Sequence, residues 1–229
     1  MKKISLFLVL MLTMASLSAQ SIVRRELIDY SNIVYSVSGD LFITIGNTYE
    51  VRLEGDGSFI ESVITKSEKG KLTISQDKRY KEKNTKVNVY VTLPVLNSLT
   101  LNTSGSVYIY GILNQDNFTC KTSGIGNLSI NALNINKQAK FTVAGSGSVT
   151  IIEKCNVSKM YVLLSNSGDF KGSNANASDM TAIVKKSGSC ECSVTKKLSA
   201  TITGSGNTTY SGSPKISAKL NGSGKLQTR

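Results

Sequence analysis

Leu198-Ser199-Ala200-Thr201-Ile202-Thr203-Gly204-Ser205-Gly206-Asn207-Thr208 alternates apolar and polar side chains up to a Gly-Ser-Gly corner and then resumes beyond it. Successive side chains of an extended backbone point to opposite sides, so a period of two means strands with one buried face and excludes a helix. The corner returns at Gly105, Gly126, Gly147, Gly168, Gly188, Gly206 and Gly224, at intervals of 21, 21, 21, 20, 18 and 18 residues, with serine before the glycine in six of the seven. So narrow a period is the mark of a repeat architecture.

Alignment on these glycines gives columns. Six residues before the glycine stand Leu99, Cys120, Phe141, Val162, Ala182, Ala200 and Ala218. Four before it stand Leu101, Thr122, Val143, Leu164, Val184, Ile202 and Leu220, and two after it Val107, Leu128, Val149, Phe170, Cys190, Thr208 and Leu226. The column three before is mostly polar: Asn102, Ser123, Ala144, Ser165, Lys185, Thr203 and Asn221. The glycine is expected to take positive φ and turn the chain between strands. The serines before it, at 104, 146, 167, 187, 205 and 223, are expected to form a hydroxyl ladder along the corner.

A unit of about twenty residues cannot bury its own apolar face, so neighbouring units must stack. The expected fold is all-β: a β-solenoid, parallel β-helix-like, with rungs of 18–21 residues about 4.8 Å apart and an irregular N-terminal β cap. Three segments follow: a signal peptide over 1–19, an irregular β region with the first rungs and cap over 20–97, and regular repeats over 98–229. In the irregular region the strand-like runs are 33–37, 41–45, 49–53, 59–64, 72–74 and 87–93.

Lys2 and Lys3 precede an apolar run too short to span a bilayer, and small residues lead to Ala19. No cysteine stands directly after the cut to take a lipid, and no later stretch suits a membrane helix, so the expected location is exported: periplasm, outer surface or extracellular. Removal of the signal lowers the net charge from +12 to +10. Part of that charge lies between Gln76 and Lys86, read as an exposed basic hairpin loop. Lys78, Arg79, Lys81 and Lys83 are its candidate contacts for an anionic ligand. Shielding of sheet edges is the structural explanation of the same charges. An export signal without an aromatic-rich basic motif argues against nucleic acid.

Four cysteines in an exported chain raise the question of disulfides. Cys190 and Cys192 point the same way along one strand, about 7 Å apart, which exceeds comfortable bridge geometry. Cys120 lies three rungs away and Cys155 falls in a connection. Buried free thiols are the expectation, and the absence of histidine disfavours zinc.

The segments Val51-Arg52-Leu53-Glu54-Gly55-Asp56, Gly70-Lys71-Leu72-Thr73-Ile74 and Val89-Tyr90-Val91-Thr92-Leu93-Pro94, followed by repeated Gly-Ser-Gly and the run from Leu198 to Pro214, resemble the auto-transporter adhesin head GIN domain family (DUF2807). The resemblance covers nearly the whole exported chain and implies an exported bacterial protein with a β-solenoid-like fold. It supplies no catalytic, metal or cofactor residue.

A polysaccharide lyase or hydrolase on a solenoid scaffold is the alternative function. Such chemistry needs paired carboxylates or an acidic metal site. From Ser98 onward the acids are Asp116, Glu153, Asp169, Asp179 and Glu191, at different column offsets, and the chain has no histidine. The Gly-Ser-Gly corners lack the helix and lysine of a phosphate loop. The sequence therefore reads as a non-catalytic binding, adhesion-like or structural module without cofactors. Its expected partner is an anionic glycan, an envelope component or another surface protein. Outward Tyr108, Tyr110 and Tyr161 can stack on sugars or cover strand backbone.

Overall fold

In the computed structural model, which describes residues 21–77, 79–80 and 86–229, the alternating runs lie as strands with one face in and one face out. The described residues are 64% strand and 3% helix, stacked as parallel coils into a β-solenoid of about six turns. Among the described residues, no helix is long and apolar enough to cross a membrane.

The N-terminal strands are β1 (Ser21–Arg25), β2 (Asn32–Ser36), β3 (Leu41–Ile45) and β4 (Glu50–Gly55), then helix α1 (Gly57–Ser62), β5 (Val63–Glu68), β6 (Lys71–Gln76) and β7 (Val87–Leu93). The coils continue through β8 (Ser98–Leu101), β9 (Val107–Thr122), β10 (Leu128–Val143), β11 (Val149–Ile151), β12 (Cys155–Leu164), β13 (Phe170–Val184), β14 (Cys190–Ile202), β15 (Thr208–Ser211), β16 (Lys215–Leu220) and β17 (Leu226–Thr228). The long strands bend. Register shifts between Ile130 and Ala132 and between Ile135 and Gln138 divide β10 into three segments, each on a different side of the coil.

The aligned columns become rows across the stack. Leu99, Cys120, Phe141, Val162, Ala182 and Ala200 are direct neighbours from coil to coil, and all are buried. Leu101, Val143 and Val184 face inward, as alternation requires. Phe118, Phe141 and Phe170 pack on one another with centroids 5.9 and 4.9 Å apart, filling space that the alanines leave. Thr122 and Thr208 interrupt two apolar rows, and their hydroxyls are buried without partners.

The glycine corners differ from expectation. Among the described residues the glycines at positive φ are Gly39, Gly70, Gly111 and Gly212, none of the seven anchors. Close approach explains the anchors instead. A Cβ on Gly126, Gly147, Gly188, Gly206 or Gly224 would fall well inside contact with the carbonyl oxygen of the corresponding glycine one coil earlier. The corner N–H groups bond to the same neighbour: Gly126 to the Thr103 carbonyl at 3.0 Å and Gly206 to that of Lys186 at 2.8 Å. The serine column points into solvent, with one hydroxyl contact in it, Ser187 to Ser205 at 3.5 Å. The hydroxyl-ladder expectation is therefore corrected: backbone bonds hold these corners. Asx side chains assist in alternate coils, where Asp40, Asn127, Asp169 and Asn207 each accept the backbone N–H one residue past the next coil's glycine, at 2.7–2.9 Å.

The N-terminal region contains an additional coil. β2 lies between β6 and β8, and β3 between β7 and β9, all parallel. Ser38-Gly39 thus forms a corner directly beneath Gly105, 66 residues away. β1, β4 and β5 pair antiparallel and close this end. The strand expected at 59–64 is mostly α1: Asp56 caps it, its carboxylate accepting the N–H groups of Ser58 and Phe59. The strands flanking the basic segment, β6 and β7, pair with other strands and not with each other, as the expected hairpin would require.

Candidate functional site

Of the four candidate contacts, Lys78, Lys81 and Lys83 lie outside the described residues, as does the signal peptide. Arg79 is exposed and held by Asp77, its Nη2 donating to Oδ2 at 2.6 Å and its backbone N–H to Oδ1 at 2.9 Å. Those hydrogen bonds bring the Asp77 carboxyl down to about 2. An exposed pair of this kind contributes little stability, and Arg79 carries little net charge toward a ligand.

Of the outward tyrosines, Tyr108 belongs to a column set by register, and Tyr110 lies beside it with ring centroids 6.3 Å apart. Tyr90, Phe42 and Tyr108 occupy matching outward positions of β7, β3 and β9 and stack at 4.9 and 5.4 Å, with interplanar angles of 16° and 7°. The Arg52 guanidinium covers Tyr90 at 4.0 Å. Both faces of Phe42 and one of Tyr108 are occupied by neighbours, and a sugar needs a free face. The column therefore covers backbone and stiffens the sheet. Tyr161 lies apart on β12 under the Lys140 ammonium, 5.4 Å from its centroid.

A groove that the glycine alignment does not reveal runs along the middle side of the coils. Asn134, Asn156, Asn176 and Ser193 succeed one another in β10, β12, β13 and β14. The Asn156 N–H donates to the Asn134 side chain at 3.3 Å, and the pairs Asn156–Asn176 and Asn176–Ser193 are in direct register. Two residues on in each coil, Asn136, Ser158, Ser178 and Thr195 form a second row. The space they line measures about 590 Å³. Asn136 and Ser158 also line a neighbouring hollow of about 420 Å³, and that hollow shares Gln138 and Lys159 with one of about 280 Å³ that Asp179 and Lys197 also line. The signal in sequence is the phrase Asn-Ile-Asn, Asn-Val-Ser, Asn-Ala-Ser, Ser-Val-Thr at 134, 156, 176 and 193. Bulges beside it vary its distance from the glycines and scatter it in an alignment anchored there.

The repeat-half acids are dispersed. Asp116 pairs with Lys137 at 2.7 Å, Asp169 caps Ser189, and Glu191 accepts from Ser173 and lies 3.7 Å from Arg229. Asp179 stands between Lys159 and Lys197, and Glu191 between Lys171 and Thr209. Glu153 is exposed. All four cysteines are free and buried; Cys155 opens β12 rather than lying in a connection. Burial pushes the Cys120 thiol up to about 12. The Cys190 thiol is raised by its hydrogen bond with Cys192 and by burial. Both are held as neutral thiols, poor nucleophiles at neutral pH.

The chain matches the family described as putative auto-transporter adhesin, head GIN domain, over residues 29–214. No curated protein matches it. Its fold is that of several solved structures. A putative adhesin from Bacteroides fragilis NCTC 9343 has a TM-score of 0.86 at 22% identity over 92% of this chain and 97% of that one. A putative adhesin from Parabacteroides distasonis ATCC 8503 gives 0.75 at 20%, over 92% and 97%. A putative lipid binding protein from the same organism gives 0.71 at 20%, over 92% and 96%.

Proposed function

The chain belongs to the auto-transporter adhesin head GIN domain family, and from that premise we propose that it is an exported, non-catalytic module that binds anionic glycan at the cell surface through its basic coils. One observation carries this reading. After Glu191 the chain holds six basic residues, Lys196, Lys197, Lys215, Lys219, Lys225 and Arg229, and no acid. All six are exposed, and among the described residues the five lysines form no ion pair. Lys185 and Lys186 at the preceding corner extend the patch. A surface of one sign draws oppositely charged polymers and loses its hold as salt shortens the Debye length from about 10 Å at 0.1 M to about 3 Å at 1 M. Lys78, Lys81 and Lys83, with Arg79 largely neutralised by Asp77, are in this reading a second, smaller source of attraction. The dispersal of the five repeat-half acids supports binding without cleavage.

The test is retention on immobilised polygalacturonate across a salt gradient. Retention is expected to fade with salt and to weaken strongly when Lys196, Lys197, Lys215, Lys219 and Lys225 become serine. Changing Lys78, Arg79, Lys81 and Lys83 to serine has the smaller effect. Salt-independent retention, or retention unchanged in both variants, refutes the basic-coil reading.

A further inference from the structure

The groove along the middle side is built differently from the charged patch. Its walls are two rows of amides and hydroxyls, one member of each per coil, repeating about every 4.8 Å along the stack. Amides and hydroxyls both donate and accept, as do the hydroxyls of a sugar. Beneath them Ile135 and Val157 point into the core, so the floor is rigid and the side chains are short. One wall carries Lys159 and Lys197 on either side of Asp179, whose Oδ1 is shielded from water and has no donor from the chain. Buried carboxylate oxygens are ordinarily paired. That oxygen is out of a ligand's reach, and the donors and acceptors open to one are the outward amides and hydroxyls of the two rows.

The chemistry selects among ligand classes. Strands β10, β12, β13 and β14 are each hydrogen-bonded to strands on both sides, so no free edge is open for a peptide to add as a strand. An acyl chain requires apolar walls, whereas the amide and hydroxyl rows are polar. Bases require a run of aromatic platforms, whereas Tyr161 is the aromatic residue at this rim. A polyhydroxylated chain bearing carboxylates matches what remains. Resting on the reading of the protein as an anionic-glycan binder, we propose that this groove seats one extended acidic glycan strand along the stacking axis. Asn134, Asn156, Asn176 and Ser158 hydrogen-bond its hydroxyls, and Lys159 and Lys197 meet its carboxylates. Preformed on a stacked scaffold, the site orders few side chains on binding.

Titration calorimetry of the full chain with a galacturonic acid hexamer, beside a neutral galactose hexamer, tests the proposal. Asn156→Leu with Asn176→Leu removes the amide row without changing charge, and Lys159→Ser with Lys197→Ser removes the lysines. Lys69→Ser with Lys71→Ser, exposed lysines at the β5–β6 turn and outside both the groove and the basic coils, is the charge control. Losing two or more hydrogen bonds predicts about a tenfold or greater drop in affinity for either groove variant, against less than about threefold for the control. In the wild type, the side-chain NH₂ resonances of Asn134, Asn156 and Asn176 shift on titration with the acidic hexamer, a readout independent of any variant. Wild-type binding that survives both groove variants, with unmoved amide signals, overturns the groove and leaves the basic-coil reading standing. Absence of binding to either hexamer overturns both. Equal affinity for the neutral hexamer overturns the carboxylate role of the lysines.

Discussion

Replacing Gly147 by alanine places a methyl group where the coil below already has backbone. A Cβ at this position falls well inside contact with the Gly126 carbonyl oxygen and meets the Gly126 carbonyl carbon at 2.7 Å and the Ile125 oxygen at 2.9 Å. Ordinary contact begins at 3.4 Å. The obstructing atoms are main chain held by inter-coil hydrogen bonds, so relief requires the coils to part. Overpacking of this kind costs about 1–3 kcal/mol, and the reduced freedom of the unfolded chain returns about 0.4–1 kcal/mol. The upper end applies because backbone must move, giving a net loss of about 2 kcal/mol. Gly46→Ala is the comparison: its Cβ would meet only Thr92 Cγ2, at 3.1 Å, a side-chain atom, and its loss stays within about 1 kcal/mol. Gly147→Asn separates the two explanations for the glycine. Asparagine tolerates positive φ better than alanine does, so a conformational requirement makes Asn the milder change, whereas close approach makes it at least as harmful. Urea unfolding followed by circular dichroism measures all three. A Gly147→Ala loss below about 0.5 kcal/mol, or an Asn variant more stable than the Ala variant, refutes the close-approach argument.

Thr208→Val replaces a buried hydroxyl that has no partner with a methyl group of similar size, and raises stability by about 1 kcal/mol in the same unfolding assay. Asp169→Ala removes the acceptor of the Ser189 N–H and costs about 1 kcal/mol, while Asp169→Asn, which copies the role of Asn127 and Asn207, costs less. The Cys120 thiol titrates near 9.0 when unfolded and about 12 when folded. Its contribution is therefore complete below pH 9 and lost as pH climbs toward 12. Thermal melting across that window falls more shallowly in Cys120→Val than in the wild type.

The inward rows were legible because burial of one strand face imposes a strict parity. Leu101, Val143 and Val184 had to share a side whatever the stacking detail. The coil formed by β2 and β3 was not, although Ser38-Gly39 with Ile33, Tyr35 and Leu41 fits the columns, because the cap separates it from its neighbour by 66 residues in place of about 20. Helix α1 was hidden by Phe59 and Ile60, which read equally as strand; Asp56 followed by Gly57 and Ser58 was the cap signal. Why each anchor is glycine depends on the distance between coils, which no single unit encodes. The groove escaped for a related reason. Its side chains come from the bulged segments, where one coil inserts residues that the next lacks, so the amide row is regular in space and irregular in number.

Under the proposed function, the outer faces of this solenoid hold a glycan without transforming it. Incubation of the purified chain with the galacturonic acid hexamer, with bound fraction and oligosaccharide masses read from the same sample, separates holding from cleavage. Salt-sensitive binding with the hexamer recovered intact is expected. Shortened or unsaturated products that vanish when Asp116, Glu153, Asp169, Asp179 or Glu191 is replaced would refute the proposed function.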